Sequence, residues 1–172
     1  MGDPKKQRKK YETPRHPWIR AQIQDELKLI GDYGLRNKRE LWRYRTEISR
    51  IRGIARSLLA KTEEARSKTE KELLRSLIHL GVLSEDATLD HVLDLDVTKL
   101  LDRRLQTVVA RSGMAKSMHH ARQLVSHGHV FIGGRSVSIP GYMVRRDDHP
   151  EVTLQTSEPT QRERSQARAA KS

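Results

Sequence analysis

The chain has 172 residues, enough for one or two small domains. Lys and Arg number 34 against 22 Asp and Glu, a net charge of +12. Such a surplus is self-repelling unless a polyanion neutralises it, and nucleic acid and anionic membranes are the two candidates. No apolar run reaches the roughly 18–20 residues that span a bilayer, which favours nucleic acid. The lack of cysteine rules out a disulfide framework and the commonest zinc sites. We therefore expect a soluble intracellular protein.

The charge is distributed unevenly along the chain. The net charge is +9 over residues 1–60, −3 over 61–99, +5 over 100–150 and +1 over 151–172. A surplus that served only solubility would be spread more evenly. We infer two RNA-facing basic regions joined by an acidic segment that packs between them.

Residues 1–19 are predicted to form a basic extended arm, because they show no hydrophobic period. The arm is either a solvated tail or an extension that threads into RNA, with Tyr11 or Trp18 stacking on bases. Nothing local offsets the entropy of fixing it, so we expect residues 1–18 to order only on RNA, with Trp18 anchoring the base of the arm. The candidate phosphate contacts in the arm are Lys5, Lys6, Arg8, Lys9 and Lys10.

Residues 20–96 are predicted to be a helical region. A first helix from Ala21 to Ile30 would bury Ile23, Leu27 and Ile30, with Gly31 and Gly34 ending it. A longer helix is predicted from Lys38 to about Lys61. Its narrow buried stripe consists of Leu41, Tyr44, Ile48, Ile51, Ala55 and Leu58.

Six arginines flank the buried stripe of this long helix, and few acidic residues lie near enough in sequence to pair with them. Any one of these arginines fits a solvated helix face, but the six together favour contact with phosphates. Trp42 is assigned to the core rather than to base stacking. The arginines are Arg45, Arg52 and Arg56 on one side and Arg39, Arg43 and Arg50 on the other, and all but Arg56 are taken as candidate RNA contacts.

The acidic segment is less distinctive. Residues 61–72 fit either a helix surface or a mobile connector. An apolar face from Leu73 to Leu80 then predicts a helix that Gly81 ends. Ser84 or Thr88 could cap the next short helix.

Residues 97–150 carry the densest pattern. One amphipathic helix is predicted through Leu101 and Val109, and a second, capped by Ser117, from Met118 to Ser126. The period then changes to two over residues 130–132 and 135–139. The Gly133-Gly134 pair between these runs suits the positive φ angles of a type I′ hairpin turn. The result is a compact helix–helix–hairpin unit.

Polar residues of this unit fall on or between its two helices, largely off the apolar positions. The backbone N–H groups at the Ser117 helix start offer a phosphate site. Arg104 and Arg122 are expected to be exposed. The candidate RNA contacts are Arg103, Arg104, Arg111, Lys116, Ser117, Arg122, Gln123 and His127, with Arg135 after the hairpin turn.

Several of these runs resemble a known family. LDRRL at 101–105, RSGMA at 111–115 and ARQLVSHGHV at 121–130 resemble the S-four RNA-binding domain. The N-terminal half resembles the archaeal and eukaryotic branch of the small-subunit ribosomal protein S-four family. The runs that carry this second resemblance are YETP at 11–14, HPW at 16–18, YGLRNK at 33–38 and ELWR at 40–43.

The resemblance implies a mainly α fold with a small β component (α+β), in which a helical N-terminal region precedes the helix–helix–β-hairpin domain over residues 97–150. It implies a structural constituent of the small ribosomal subunit that binds small-subunit rRNA during assembly. It also implies contact with neighbouring ribosomal proteins, including the S-five protein, and an effect on translational accuracy. The hairpin turn, usually Asn-Gly in the family, is Gly133-Gly134 here. The tail over residues 151–172 matches nothing usable.

Other functions are disfavoured. His119, His120, His127 and His129 could be offered as metal ligands, but histidines on a basic RNA-facing surface more often serve as hydrogen-bonding groups. No phosphate loop or nucleophile motif is present, so no enzyme activity, cofactor, metal, membrane or small-molecule substrate is expected. The main alternative is a ribosome-biogenesis factor of the same architecture that binds precursor rRNA transiently. A cytoplasmic, ribosome-bound location is expected.

Overall fold

The computed structural model describes residues 9–148 and 151–154, with the backbone alone at 63–65. Two compact units divide between Arg104 and Leu105. The first unit holds α1 (Arg20–Asp32), α2 (Lys38–Leu59), α3 (Glu63–His79), α4 (Leu89–Leu93) and α5 (Val97–Asp102). The second unit holds α6 (Leu105–Arg111), α7 (Met118–Ser126), β1 (Val130–Ile132), β2 (Arg135–Ser136) and β3 (Val152–Leu154).

These elements confirm the predicted fold class, mainly α with a small β component. The domain bounds proposed from the sequence, at residues 19, 96 and 150, stay predictions. Within the described part of the chain, no helix is long and apolar enough to cross a membrane.

Helix α2 forms where its sequence predicts. The Asn37 side chain caps it by accepting a hydrogen bond from the Glu40 backbone N–H at 3.1 Å. This satisfies one of the donors that a helix start leaves free. The predicted stripe is confirmed, with Tyr44 only half-buried. Its buried members are Leu41, Ile48, Ile51, Ala55 and Leu58.

Helix α1 departs from its prediction. Leu27 is 55% exposed, whereas Glu26 is only 2% exposed. Apolar spacing alone placed Leu27 inward and could not show that cations and an indole N–H meet the carboxylate of Glu26. The helix also runs through Gly31 to Asp32, and Gly34, at φ +56°, follows it in the left-handed region.

The described part of the arm lies against α2. The Tyr11 and Trp42 ring centroids are 6.0 Å apart, and the Glu12 backbone N–H donates to Thr46 Oγ1 at 3.0 Å. Trp18 is 88% exposed, so the prediction that Trp18 anchors the arm is wrong. Tyr11 and Glu12 thus have partners on α2, and the expected ordering of residues 1–18 on RNA stays a prediction. Lys5, Lys6 and Arg8 lie outside the described residues.

Residues 61–72 are mostly helical, because α3 begins at Glu63. Gly81 adopts φ +68° after α3, as its predicted role in ending the helix requires. Thr88, rather than Ser84, lies at the start of α4, where its backbone N–H donates to His91 Nδ1 at 3.1 Å.

The single helix predicted through Leu101 and Val109 is wrong, because the chain breaks between α5 and α6 at Arg103 and Arg104. Both guanidinium groups have partners within the first unit. Arg103 Nε donates to the Leu80 carbonyl at 2.9 Å, and Arg104 Nη2 lies 2.7 Å from a Glu40 carboxylate oxygen. Hydrophobic periodicity does not report such tertiary contacts.

The second unit confirms the predicted helix–helix–hairpin order. Gly133 and Gly134 adopt φ +54° and +76°, as a type I′ turn requires, and join antiparallel β1 and β2. Strand β2 is shorter than predicted. Strand β3, which was not predicted, pairs with the other side of β1. The core beneath consists of Leu105, Val108, Val109, Ala121, Val125, Val130, Val144 and Val152.

Candidate nucleic-acid interface

Three exposed arginines form a row on α2, which we name the α2 arginine row: Arg39, Arg43 and Arg50. At 3.6 residues per turn they lie within about 40° of one another around the helix axis. None of them makes an ion pair with a residue that the structure describes. Their guanidinium groups can therefore donate paired hydrogen bonds to phosphate oxygens.

Arg45 and Arg52, predicted with this set, are both half-buried and are bonded within the protein. Arg45 Nη1 lies 2.6 Å from Glu26 Oε1, and Lys38 Nζ lies 3.2 Å from Glu26 Oε2. Arg52 Nη2 donates to the Leu95 carbonyl. The sequence could not show that these cations have partners within the first unit, and their contact with phosphate stays a prediction.

Glu26 is the acceptor that organises this side of α2. Burial raises the pKa of its carboxyl, but hydrogen bonds from Trp42 and Lys38 and the charges of Arg45 and Lys38 outweigh burial, and the pKa is lowered. The carboxylate therefore stays ionised and holds the Trp42 indole N–H at 3.0 Å. Trp42 is thereby fixed in a half-buried position rather than in the core to which it was assigned.

Arg104 was expected to be exposed, and that prediction is wrong. Its exposure is 2%, its guanidinium meets Glu40, and it lies 5.8 Å from the centroid of the Tyr44 ring. Arg103 is half-buried beside Gly81. The two arginines of the LDRRL run therefore have partners within the first unit, and their contact with RNA stays a prediction.

The second unit presents a polar surface along α7 and the turns beside it. The Ser117 hydroxyl accepts a hydrogen bond from the His120 backbone N–H at 3.1 Å, confirming the predicted cap. His120 Nδ1 in turn accepts from the Lys116 backbone N–H at 3.2 Å. The predicted contacts that lie exposed on this unit are Arg111, Lys116, Ser117, Gln123, His127 and Arg135.

Arg122 differs from the rest of that set, because it is half-buried rather than exposed. Arg122 Nη1 donates to Gln106 Oε1 at 3.3 Å, and the fully buried Gln106 donates to the Met118 carbonyl at 2.9 Å. Gln106 thus connects α6 to the start of α7 and holds Arg122 against them.

Substitutions at Ser117 separate its capping role from phosphate binding. Ser117→Ala should destabilise the protein by about 1 kcal/mol through loss of the cap. Ser117→Asp keeps a capping acceptor but places a negative charge at the helix start, so it should retain stability and lose RNA affinity. Urea unfolding and filter binding to small-subunit rRNA measure the two effects. Wild-type affinity in the Asp variant would show that no phosphate lies at this helix start.

The sequence prediction did not include every exposed cation. Arg36 and Arg145 are exposed cations that were not among the predicted RNA contacts, and only a count of solvent-facing charges would find them. The rings of His127 and His129 stack with centroids 6.3 Å apart. Among the described residues, no group of three or more potential ligands could hold a metal ion.

Comparison with known proteins follows the same division of the chain. A family model described as "Ribosomal protein S4/S9 N-terminal domain" matches residues 5–102, and one described as "S4 domain" matches residues 103–149. The first match alone covers more than half of the chain. The chain belongs to the ribosomal protein S4 family.

Relatives in this family match almost the whole chain. A protein of Ignicoccus hospitalis named small ribosomal subunit protein uS4 is 54% identical over 92% of this chain and 96% of its own length. Proteins of the same name from Hyperthermus butylicus and Sulfurisphaera tokodaii are 52% and 49% identical, each over 92% of this chain and 90% of their own lengths. The resemblance read from the sequence motifs is thereby confirmed.

Proposed function

We propose that the protein is a structural constituent of the small ribosomal subunit that binds small-subunit rRNA directly. One observation carries the proposal: the α2 arginine row is exposed and makes no ion pair within the described residues. Arg45 and Arg104 are paired with carboxylates of the protein. The arginines of the α2 arginine row have no such partner among the described residues, and a row of cations of this kind suits a polyanion. Relatives covering 92% of the chain are named as small-subunit proteins, which supports the same conclusion.

The second unit suits RNA recognised by shape and backbone. Lys116, His127 and Arg135 offer cationic or hydrogen-bonding side chains, and Gln123 can reach a phosphate or a 2′-hydroxyl. Recognition by shape and backbone does not require side chains that read base edges along a duplex. Lys9 and Lys10 of the arm, with Lys5, Lys6 and Arg8, are proposed to add phosphate contacts.

Membership of the family supports finer proposals. The protein would bind rRNA during assembly, remain in the cytoplasmic ribosome and contact neighbouring small-subunit proteins, among them the S-five protein. Its contribution to translational accuracy would arise from that contact. Its role is structural and not catalytic, with no cofactor and no small-molecule substrate.

Sedimentation of cell extract on a sucrose gradient tests the proposal. A subunit constituent should appear with free small subunits and with translating ribosomes, in about the amount of the other small-subunit proteins. A biogenesis factor of the same architecture would appear only with precursor particles and be absent from translating ribosomes. The second distribution would overturn the proposal.

A further inference from the structure

A cleft of about 240 Å³ opens in the first unit between the arm, α1 and α2. It is smaller than the roughly 300–1,000 Å³ of pockets that hold drug-sized ligands, and suits a group the size of one nucleobase. We name it the arm cleft. Its lining consists of Glu12, Thr13, Pro14, Gln22, Trp42, Arg45, Thr46 and Ser49.

The walls of the arm cleft are held by contacts already formed within the protein. The Trp42 indole N–H donates to the buried Glu26, and the Tyr11 ring lies against Trp42. The Glu12 backbone N–H donates to Thr46 Oγ1, which itself donates to the Trp42 carbonyl at 2.8 Å. A ligand entering the cleft would therefore meet an aromatic wall whose position needs little further ordering.

The polar groups of the arm cleft suit the edge of a base better than a phosphate. The side chains of Thr13, Gln22 and Ser49 make no hydrogen bond to any residue that the structure describes. They offer both donors and acceptors. The Glu12 carboxylate accepts only, which disfavours an anion and favours the N–H groups of a base.

The α2 arginine row lies beside the cleft. The cleft residues of α2, from Trp42 to Ser49, follow one stripe at spacings of three and four residues, and Arg43 and Arg50 each follow a cleft residue directly. At 3.6 residues per turn, the row lies about a quarter of a turn around the helix from that stripe. A strand whose phosphates lie on the row thus runs next to the cleft.

We propose that the arm cleft takes one unpaired base of the bound rRNA, which stacks on Trp42 while its edge meets the polar lining. The proposal rests on the proposed function, since the strand must first bind the α2 arginine row. Single-stranded RNA is commonly recognised in this way, with an unstacked base placed on an aromatic side chain.

Tryptophan fluorescence tests the proposal in the full-length chain. Trp18→Phe removes the only other tryptophan, which is 88% exposed, and leaves Trp42 as the sole reporter. Small-subunit rRNA should quench Trp42 fluorescence in this variant. Adding Ser49→Phe, which fills the cleft from an exposed position, should abolish the quenching and weaken binding by about five- to a hundredfold, as for one lost base stack.

Ser57→Phe is the matched control, because Ser57 is also exposed on α2 and does not line the cleft. It should keep both quenching and affinity. The salt dependence of binding should be the same in all three variants, since the phosphate contacts remain.

Three outcomes would overturn the proposal. Equal affinity and equal quenching in the Ser49→Phe and Ser57→Phe variants would refute base binding in the arm cleft, while rRNA binding itself would stand. Weakened incorporation into subunits with unchanged binding to bare rRNA would assign the cleft to a protein partner. If neither the wild type nor the parent Trp18→Phe variant bound rRNA, the proposed function itself would be refuted.

Discussion

Reversing the charge of the α2 arginine row, with Arg39, Arg43 and Arg50 all changed to Glu, is expected to weaken binding to small-subunit rRNA by at least a hundredfold at about 100 mM salt. Each lost phosphate contact removes about 0.7–0.9 from the slope of log affinity against log salt, so the slope should fall by about 2–3. All three side chains are exposed, so each substitution should change stability by at most about 0.5 kcal/mol. Filter binding from 50 to 200 mM salt measures both quantities.

The matched control makes the same change of net charge on another exposed helix surface. Lys68, Lys71 and Arg75 of α3 are exposed, and changing all three to Glu should weaken binding far less and leave the salt slope nearly unchanged. Equal losses from the two triple variants would mean that net charge, rather than the row, drives binding. An unchanged salt slope in the α2 variant would remove the row from the interface.

Elements with local signals could be predicted from the sequence. The Ser117 cap, the Gly133-Gly134 turn and the buried stripe of α2 each depend on residues close together in the chain. A capping hydroxyl, a positive φ angle and a spacing of three or four residues act over a single turn of backbone. The structure confirms all three.

The errors concern long-range partners. Glu26 is buried because Lys38, Trp42 and Arg45 contact it from α2. Nothing in the sequence around Glu26 predicts that its carboxylate is buried. Strand β3 pairs with β1 although it follows it by some twenty residues, so alternation of residue type could not place it. Tertiary contacts decide both cases.

The arginines illustrate the same limit at the interface. The arginines could not be told apart from the sequence, because each is a cation close to an apolar stripe. The structure separates those whose guanidinium groups meet Glu26, Glu40 or a backbone carbonyl from those that face solvent. A composition count identifies how much positive charge is present, but pairing depends on which acidic residues the fold brings near.

Removing the Arg104–Glu40 ion pair one side at a time should give unequal losses of stability. Arg104→Met leaves the Glu40 carboxylate, which at 18% side-chain exposure is still reached by water, so the loss should be about 3 kcal/mol. Glu40→Met leaves the Arg104 guanidinium, at 2% exposure, without its carboxylate partner, and the loss should be about 5 kcal/mol. The double variant should recover most of either loss, because no charge then stays buried without a partner.

Urea unfolding of the four proteins measures these differences, and rRNA binding supplies the test of role. Because Arg104 is buried, the folded Arg104→Met variant should keep the wild-type salt slope, unlike the α2 triple variant. A full-length protein that is as stable as wild type but has a reduced salt slope would show that Arg104 contacts phosphate after all. A double variant less stable than either single one would show that packing of the two side chains, rather than their charges, stabilises this site.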